Sequence, residues 1–180
     1  MKRLYAFPIL FFSIIVFSQE LKFEEVIQTD SSLTKEELFS RARTWAGQNF
    51  KSGKNSITTE DAQLGEVSGV GEFDYRADKK YMGYSCIEGP LSYKFSIYFK
   101  DGKYKYSFNS LIHNGSRGSG CKRLDYGQLT LSEKAPVKGK MIADDYAWFD
   151  VKEKTGAKIK LLIAQLIDVM KKSNETNNDW

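Results

Sequence analysis

The stretch from Leu91 to Ile112 constrains this chain more than any other. It reads LSYKFSIYFK, then Asp101-Gly102, then KYKYSFNSLI. Asp-Gly between two alternating runs is a strong hairpin signal, because a two-residue type I′ turn needs positive φ at both central positions. If Asp101 and Gly102 form the turn, Lys100 faces Lys103, Phe99 meets Tyr104, Ile97 meets Tyr106 and Phe95 meets Phe108. On the other face Tyr98 meets Lys105, Ser96 meets Ser107 and Lys94 meets Asn109. One face is then apolar or aromatic and the other polar or amphipathic. A slip of one residue would mix them, so turn and pattern agree on the register. Such a ribbon needs a layer laid across its apolar face and leaves the other face wet.

The chain has 180 residues, which suits one domain with a sizeable core. Its first 18 residues have the form of a secretory signal peptide. Lys2 and Arg3 are followed by an apolar run from Leu4 to Phe17, and Val16-Phe17-Ser18 suits cleavage between Ser18 and Gln19. The run falls short of the ~20 residues that span a bilayer, so no transmembrane segment is expected after cleavage. The expected location is secreted or periplasmic. Removing Lys2 and Arg3 leaves 25 basic against 23 acidic residues, a net charge of +2, too small to argue for nucleic acid or an acidic membrane. Export makes a disulfide between Cys86 and Cys121 the expectation, worth ~3–4 kcal/mol. The hairpin register, extended outward, sets Cys86 opposite Arg117, four residues short of Cys121. Pro90 and the glycine-rich stretch after His113 break that register.

Around the hairpin the elements follow in order. Leu21 to Thr29 reads as a first strand. Thr34 to Glu37 is a capping box opening a helix with Leu38, Phe39, Ala42, Trp45, Ala46 and Phe50 on one stripe. Lys35, Glu36, Arg41 and Arg43 fall on its other face, and Gly53 ends it. Ile57 to Thr59 is a short strand and Gly65 to Arg76 a clearer one. Gly69 and Gly71 lie on the apolar face of the latter, where they would let a helix approach closely or the strand bend. Tyr81 to Ile87 and Leu124 to Leu131 read as further strands. Ala143 to Asp150 is hard to place, with a helix start as one reading. From Ala157 onward, Ile159, Leu162, Ile163, Leu166, Ile167 and Met170 mark a helix. Residues 19–172 form the expected domain, and 173–180 a disordered polar tail. The economical solution is an α+β two-layer sandwich, a curved antiparallel sheet with two helices packed on one face.

The signal peptide, LTKEELFSRARTWAGQNF, GEVSGVGEF, YKFSIYFKDGKYKYSF and the closing apolar helix together resemble a secreted, mostly Bacteroidota family of uncharacterised proteins with a TATA-box-binding-protein-like (TBP-like) fold. The resemblance covers residues 20 to 172. It implies a fold and brings no catalytic residues, since fold does not imply function.

Motifs for chemistry are sparse. His113, the one histidine, would serve as a general base with Cys121 or a loop serine as nucleophile; the plainer reading is a histidine at a strand end. One histidine and two cysteines leave zinc dependent on carboxylates at unremarkable spacing, so no metal or cofactor is expected. Gly115, Gly118 and Gly120, with Arg117 and Lys122, would cradle an anion or merely connect two elements. Asp144, Asp145 and Asp150 lack the calcium-loop spacing and suit helix capping. The wet hairpin face carries Lys94, Tyr98, Lys105 and Asn109, which with His113 and Arg117 make the candidate ligand-binding set. That face would take a glycan or polymer strand, or would simply be solvated. The leading functional reading is an exported, non-catalytic envelope module binding a protein or polymer. A carrier of a small apolar ligand between sheet and helices ranks second, and a hydrolase third.

Overall fold

A computed structural model describes residues 19–52, 54–77, 82–115, 122–139 and 144–171. The strands are β1 (Phe23–Gln28), β2 (Lys51–Ser52), β3 (Asn55–Asp61), β4 (Glu66–Tyr75), β5 (Gly89–Lys100), β6 (Lys103–His113) and β7 (Gly127–Gln128). The helices are α1 (Lys35–Asn49) and α2 (Asp144–Lys171). All strand pairs are antiparallel, in the order β1-β6-β5-β4-β3-β2, with β7 against the far end of β6. Both helices cover one face. The fold is the expected two-layer α+β sandwich. The expected signal peptide, Arg117, Cys121 and the tail from residue 173 lie outside the described residues.

The β5–β6 register matches the one derived from the letters, from Lys100↔Lys103 to Lys94↔Asn109. The turn itself differs from the type I′ expectation. Gly102 has φ +69°, while Ser110 is the only described non-glycine residue with positive φ, so Asp101 is not left-handed. Tertiary contacts explain this. The Asp101 carboxylate accepts from the Lys35 amide at 2.8 Å, at the positive N-terminus of α1. The Gly102 amide donates to Leu33 O at 2.9 Å, and its carbonyl accepts from Thr29 N at 2.8 Å. The turn is thus clamped to the loop that starts the helix. Thr34 caps α1 by accepting from Glu37 N at 3.2 Å. The Glu37 carboxylate does not complete the reciprocal box; it accepts from Arg41.

Past Asn109 the hairpin departs from a simple ladder. The register shifts between Ser92 and Lys94, giving Ser92↔Ile112 and Leu91↔His113. β6 therefore holds one extra residue, a bulge centred on Ser110, whose φ is +51°. The Glu20 carboxylate holds it by accepting from Ser110 N and, at 3.0 Å, from Gln128 Nε2. The bulge changes which residues face inward. Tyr104, Tyr106 and Phe108 are buried before it, and Leu111 and His113 after it, while Ile112 is exposed.

The core lies between sheet and helices. Trp45 of α1 meets Phe95 edge-on at 5.6 Å and Phe108 at 6.5 Å, and Phe50 lies 4.2 Å from Phe95. The helix stripe is buried at Leu38, Ala42, Trp45 and Ala46, as its spacing requires. Gly69 and Gly71 serve the neighbouring strand rather than a helix. A Cβ on Gly69 would sit 2.6 Å from the Phe95 ring, and one on Gly71 2.3 Å from the Tyr93 ring. Those rings belong to the directly paired residues of β5.

Four further expectations need correction. α1 ends at Asn49 with Phe50 as its cap, before Gly53, because Lys51–Ser52 already pairs with β3. Arg41 faces inward: it is 5 % exposed and donates to Met170 O at 2.6 Å, tying α1 to the carbonyl end of α2. Tyr84–Cys86 is a 3-10 turn rather than a strand, entered through Gly83 at φ +82°. The strand expected from Leu124 to Leu131 is the two-residue β7 plus a bridge at Thr130. α2 begins at Asp144, so the segment that the sequence leaves open to a helix start is its first part. Its first half buries Ala147, Trp148, Val151 and Thr155, a stripe hidden in the sequence by the charged residues between them.

Candidate binding face

The uncovered face of the sheet is ordered in rungs, because directly paired residues on adjacent strands point the same way. The middle rung runs Glu24–Ser107–Ser96–Ser68–Thr59 across β1, β6, β5, β4 and β3. One flanking rung is Val26–Lys105–Tyr98–Glu66–Asp61. The other is Asn109–Lys94–Val70–Ser56. Hydroxyl groups thus floor a shallow trough between longer side chains. Ser68 is 9 % and Ser107 8 % exposed although none of the described elements covers them, so the flanking side chains shade them. At a strand spacing of ~4.8 Å, the hydroxyl row from Ser107 to Thr59 is about 14 Å long.

Four of the six residues singled out from the sequence share this face. Tyr98 is 45 % exposed and Lys94 is exposed. Lys105 pairs with Glu24 at 3.3 Å, and Asn109 Nδ2 donates to Ser107 Oγ at 3.1 Å. The hydrogen bond from Lys22, reinforced by Lys105, holds the Glu24 carboxyl below the usual range. Charges of both signs alternate over the face. Lys54 bonds to Glu72 on β4, one rung beyond Val70. Ser96 and Ser68 have no hydrogen-bond partner for their hydroxyls among the described residues. The complete hydroxyl row was not visible in the hairpin letters, since Ser68 and Thr59 join it only through strand order.

His113 lies apart from this group, in the core. The Ser110 bulge turns its ring inward, where it is 0 % exposed. Nε2–H donates to Ile87 O at 2.6 Å, and Nδ1 accepts from Tyr126 N at 3.3 Å. Burial holds its pKa below 6.5, and a proton on Nδ1 would confront the Tyr126 amide. Both nitrogens are committed to backbone groups, so the ring offers no lone pair for base catalysis. It fastens β6 to the 3-10 turn and to the segment leading into β7.

The acidic trio does three separate jobs. Asp144 accepts from Gly139 N at 2.8 Å and Asp145 from Ala135 N at 3.0 Å, both at the N-terminus of α2. Asp150 accepts from Tyr75 OH and pairs with Lys154 at 3.5 Å. Gly115 N donates to Asp125 at 2.7 Å, while Gly118 and Gly120 lie outside the described residues. Cys86 is 1 % exposed. Between the C-terminal halves of α1 and α2, Gln48, Asn49, Gln165, Asp168 and Val169 line an open groove of about 300 Å³ over the buried Trp45. Among the described residues no helix is long and apolar enough to cross a membrane.

A family model described as a domain of unknown function (DUF4468) with TBP-like fold matches residues 23–114, from β1 to just past β6. Two solved structures are similar in fold. A DUF4468 family protein from Bacteroides ovatus ATCC 8483 aligns with a TM-score of 0.64 at 11 % identity, covering 87 % of this chain and 89 % of that one. A TBP-like protein from Parabacteroides distasonis ATCC 8503 aligns with a TM-score of 0.63 at 13 % identity, covering 86 % and 95 %. No curated protein matches the sequence. The family expected from the hairpin, the helix and the glycine strand is the one that matches.

Proposed function

The chain belongs to this DUF4468 family with its TBP-like fold, and from that premise we propose that it is an exported, non-catalytic module that binds a macromolecule of the cell envelope on the outer face of its sheet. The observation that supports this is the gathering of Lys94, Tyr98, Lys105 and Asn109 around a shaded hydroxyl floor on a face that neither described helix covers. The interior that a carrier of apolar ligands would use is filled by Trp45, Phe50, Phe95 and Phe108 in ring contact. Export rests on the first 18 residues. A disulfide between Cys86 and Cys121 completes the reading, supported by the burial of Cys86 and the lack of a free thiol among the described residues.

The test of binding compares three immobilised proteins against an envelope extract that contains both proteins and soluble polymers. Wild type and a Gln165→Ala variant should retain the same component, and a Lys94→Ala/Tyr98→Ala variant should lose it. Equal retention by all three, or by none, contradicts the reading. Protein recovered from the envelope fraction should begin at Gln19 and show no titratable thiol after denaturation without reductant. A chain beginning at Met1, or two reactive thiols, would contradict export or the disulfide respectively.

A further inference from the structure

We propose that the partner of this face is a neutral polysaccharide strand, lying across the β-strands along the hydroxyl row. The inference rests on the reading above and names the chemistry of its ligand.

Three features of the trough carry it. The first is its floor. Ser107, Ser96, Ser68 and Thr59 stand side by side on adjacent strands, which presents hydroxyls at a regular spacing of ~4.8 Å. Each hydroxyl both donates and accepts, as do the hydroxyls of a sugar chain. The Ser68 and Ser96 groups have no partner among the described residues, and the small side chains keep the floor flat. A serine and threonine floor offers no socket for apolar side chains, which an extended peptide lying on a sheet face would need for anchoring.

The second feature is charge. Lys94, Lys100, Lys103 and Lys105 on the hairpin share the face with Glu24, Asp61, Glu66 and Glu72. Two of these carboxylates are neutralised locally, Glu24 by Lys22 and Lys105, and Glu72 by Lys54. A polyanion or polycation would meet charges of its own sign within a few ångströms, whereas an uncharged strand meets none. Third, Tyr98 stands on the same strand and face as Ser96 and is 45 % exposed, giving an amphipathic surface on which the apolar side of a sugar ring can rest.

The experiment is native electrophoresis of the full chain through gels containing neutral glucans or mannans, followed by an amide-resolved NMR titration with the polymer that retards it. Retardation should appear with at least one neutral polymer, with shifts confined to the three rungs. The Ser68→Val/Ser96→Val variant keeps β-favouring side chains, so its spectrum should be native elsewhere, and it should bind about tenfold more weakly. Retardation only by charged polymers overturns this inference. So does failure of every neutral polymer while the Lys94→Ala/Tyr98→Ala variant still loses its envelope component, a result that leaves the binding-face reading standing. Shifts centred elsewhere, on the helix groove for example, overturn both, as does a protein that retains nothing in either experiment.

Discussion

The two faces of the β5–β6 hairpin share one backbone and differ in every other respect. Inward, Tyr93, Phe95, Ile97 and Phe99 meet Tyr104, Tyr106 and Phe108, all at most 5 % exposed, and both helices lie across them. Outward, the alternate residues form a floor of hydroxyls edged by lysines and Tyr98, and neither described helix lies across them. The inner face is held by area removed from water and by ring contacts, so each residue there is coupled to several others. The outer face contributes little to stability, which leaves its residues free to be set by whatever binds them. The difference teaches that fold and function of this chain can be separated by mutation along a single strand.

The largest effect should come from Phe95→Ala. Its ring contacts Trp45, Phe50 and Phe108 and covers Gly69, so its loss should cost about 3–5 kcal/mol in denaturant unfolding. Next is Gly71→Ala, whose methyl would collide with the Tyr93 ring. It should cost about 2 kcal/mol, and Tyr93→Leu in the same chain should recover part of it. A full loss unchanged by the second substitution would show that the strand conformation, not the ring, requires glycine. Arg41→Met should cost about 2 kcal/mol and loosen the last turn of α2, seen as faster amide exchange near Met170, because Arg41 links that carbonyl to Glu37.

A smaller effect concerns pH. His113 is neutral when folded and its pKa is held below 6.5 by burial, so below that pH the unfolded chain binds the proton more readily. Stability should be complete above pH 6.5 and should fall as pH drops toward the folded pKa. His113→Gln, which can still donate to Ile87 O and accept from Tyr126 N, should remove this slope. A thermal-unfolding series from pH 7.5 to 5 reads it. The smallest change belongs to the outer face: Tyr98→Ala should alter stability by less than about 0.5 kcal/mol.

How much of this was legible follows the same division between local and distant causes. The register from Lys100 to Lys94 depends on a turn and a period of two, both written in neighbouring letters, and it held. The left-handed conformation expected at Asp101 did not, because the Lys35 amide lies 66 residues away in sequence and competes for the same side chain. The Ser110 bulge carries no glycine to announce it. It forms where β6 leaves β1 and takes up β7, and it misplaced His113 in any reading based on alternation. Arg41 looked like a surface residue because its position on the stripe needed knowledge of where α2 ends. Of the candidate site, the hairpin half could be seen directly, and Ser68 and Thr59 needed the strand order.

The most direct test of the separation measures stability and polymer retention together on one variant, Ser68→Val/Ser96→Val/Tyr98→Ala. The account predicts an unfolding midpoint indistinguishable from wild type and loss of retention in the neutral-polymer gel. A variant that unfolds as easily as Phe95→Ala, or that is retained as wild type is, would contradict it.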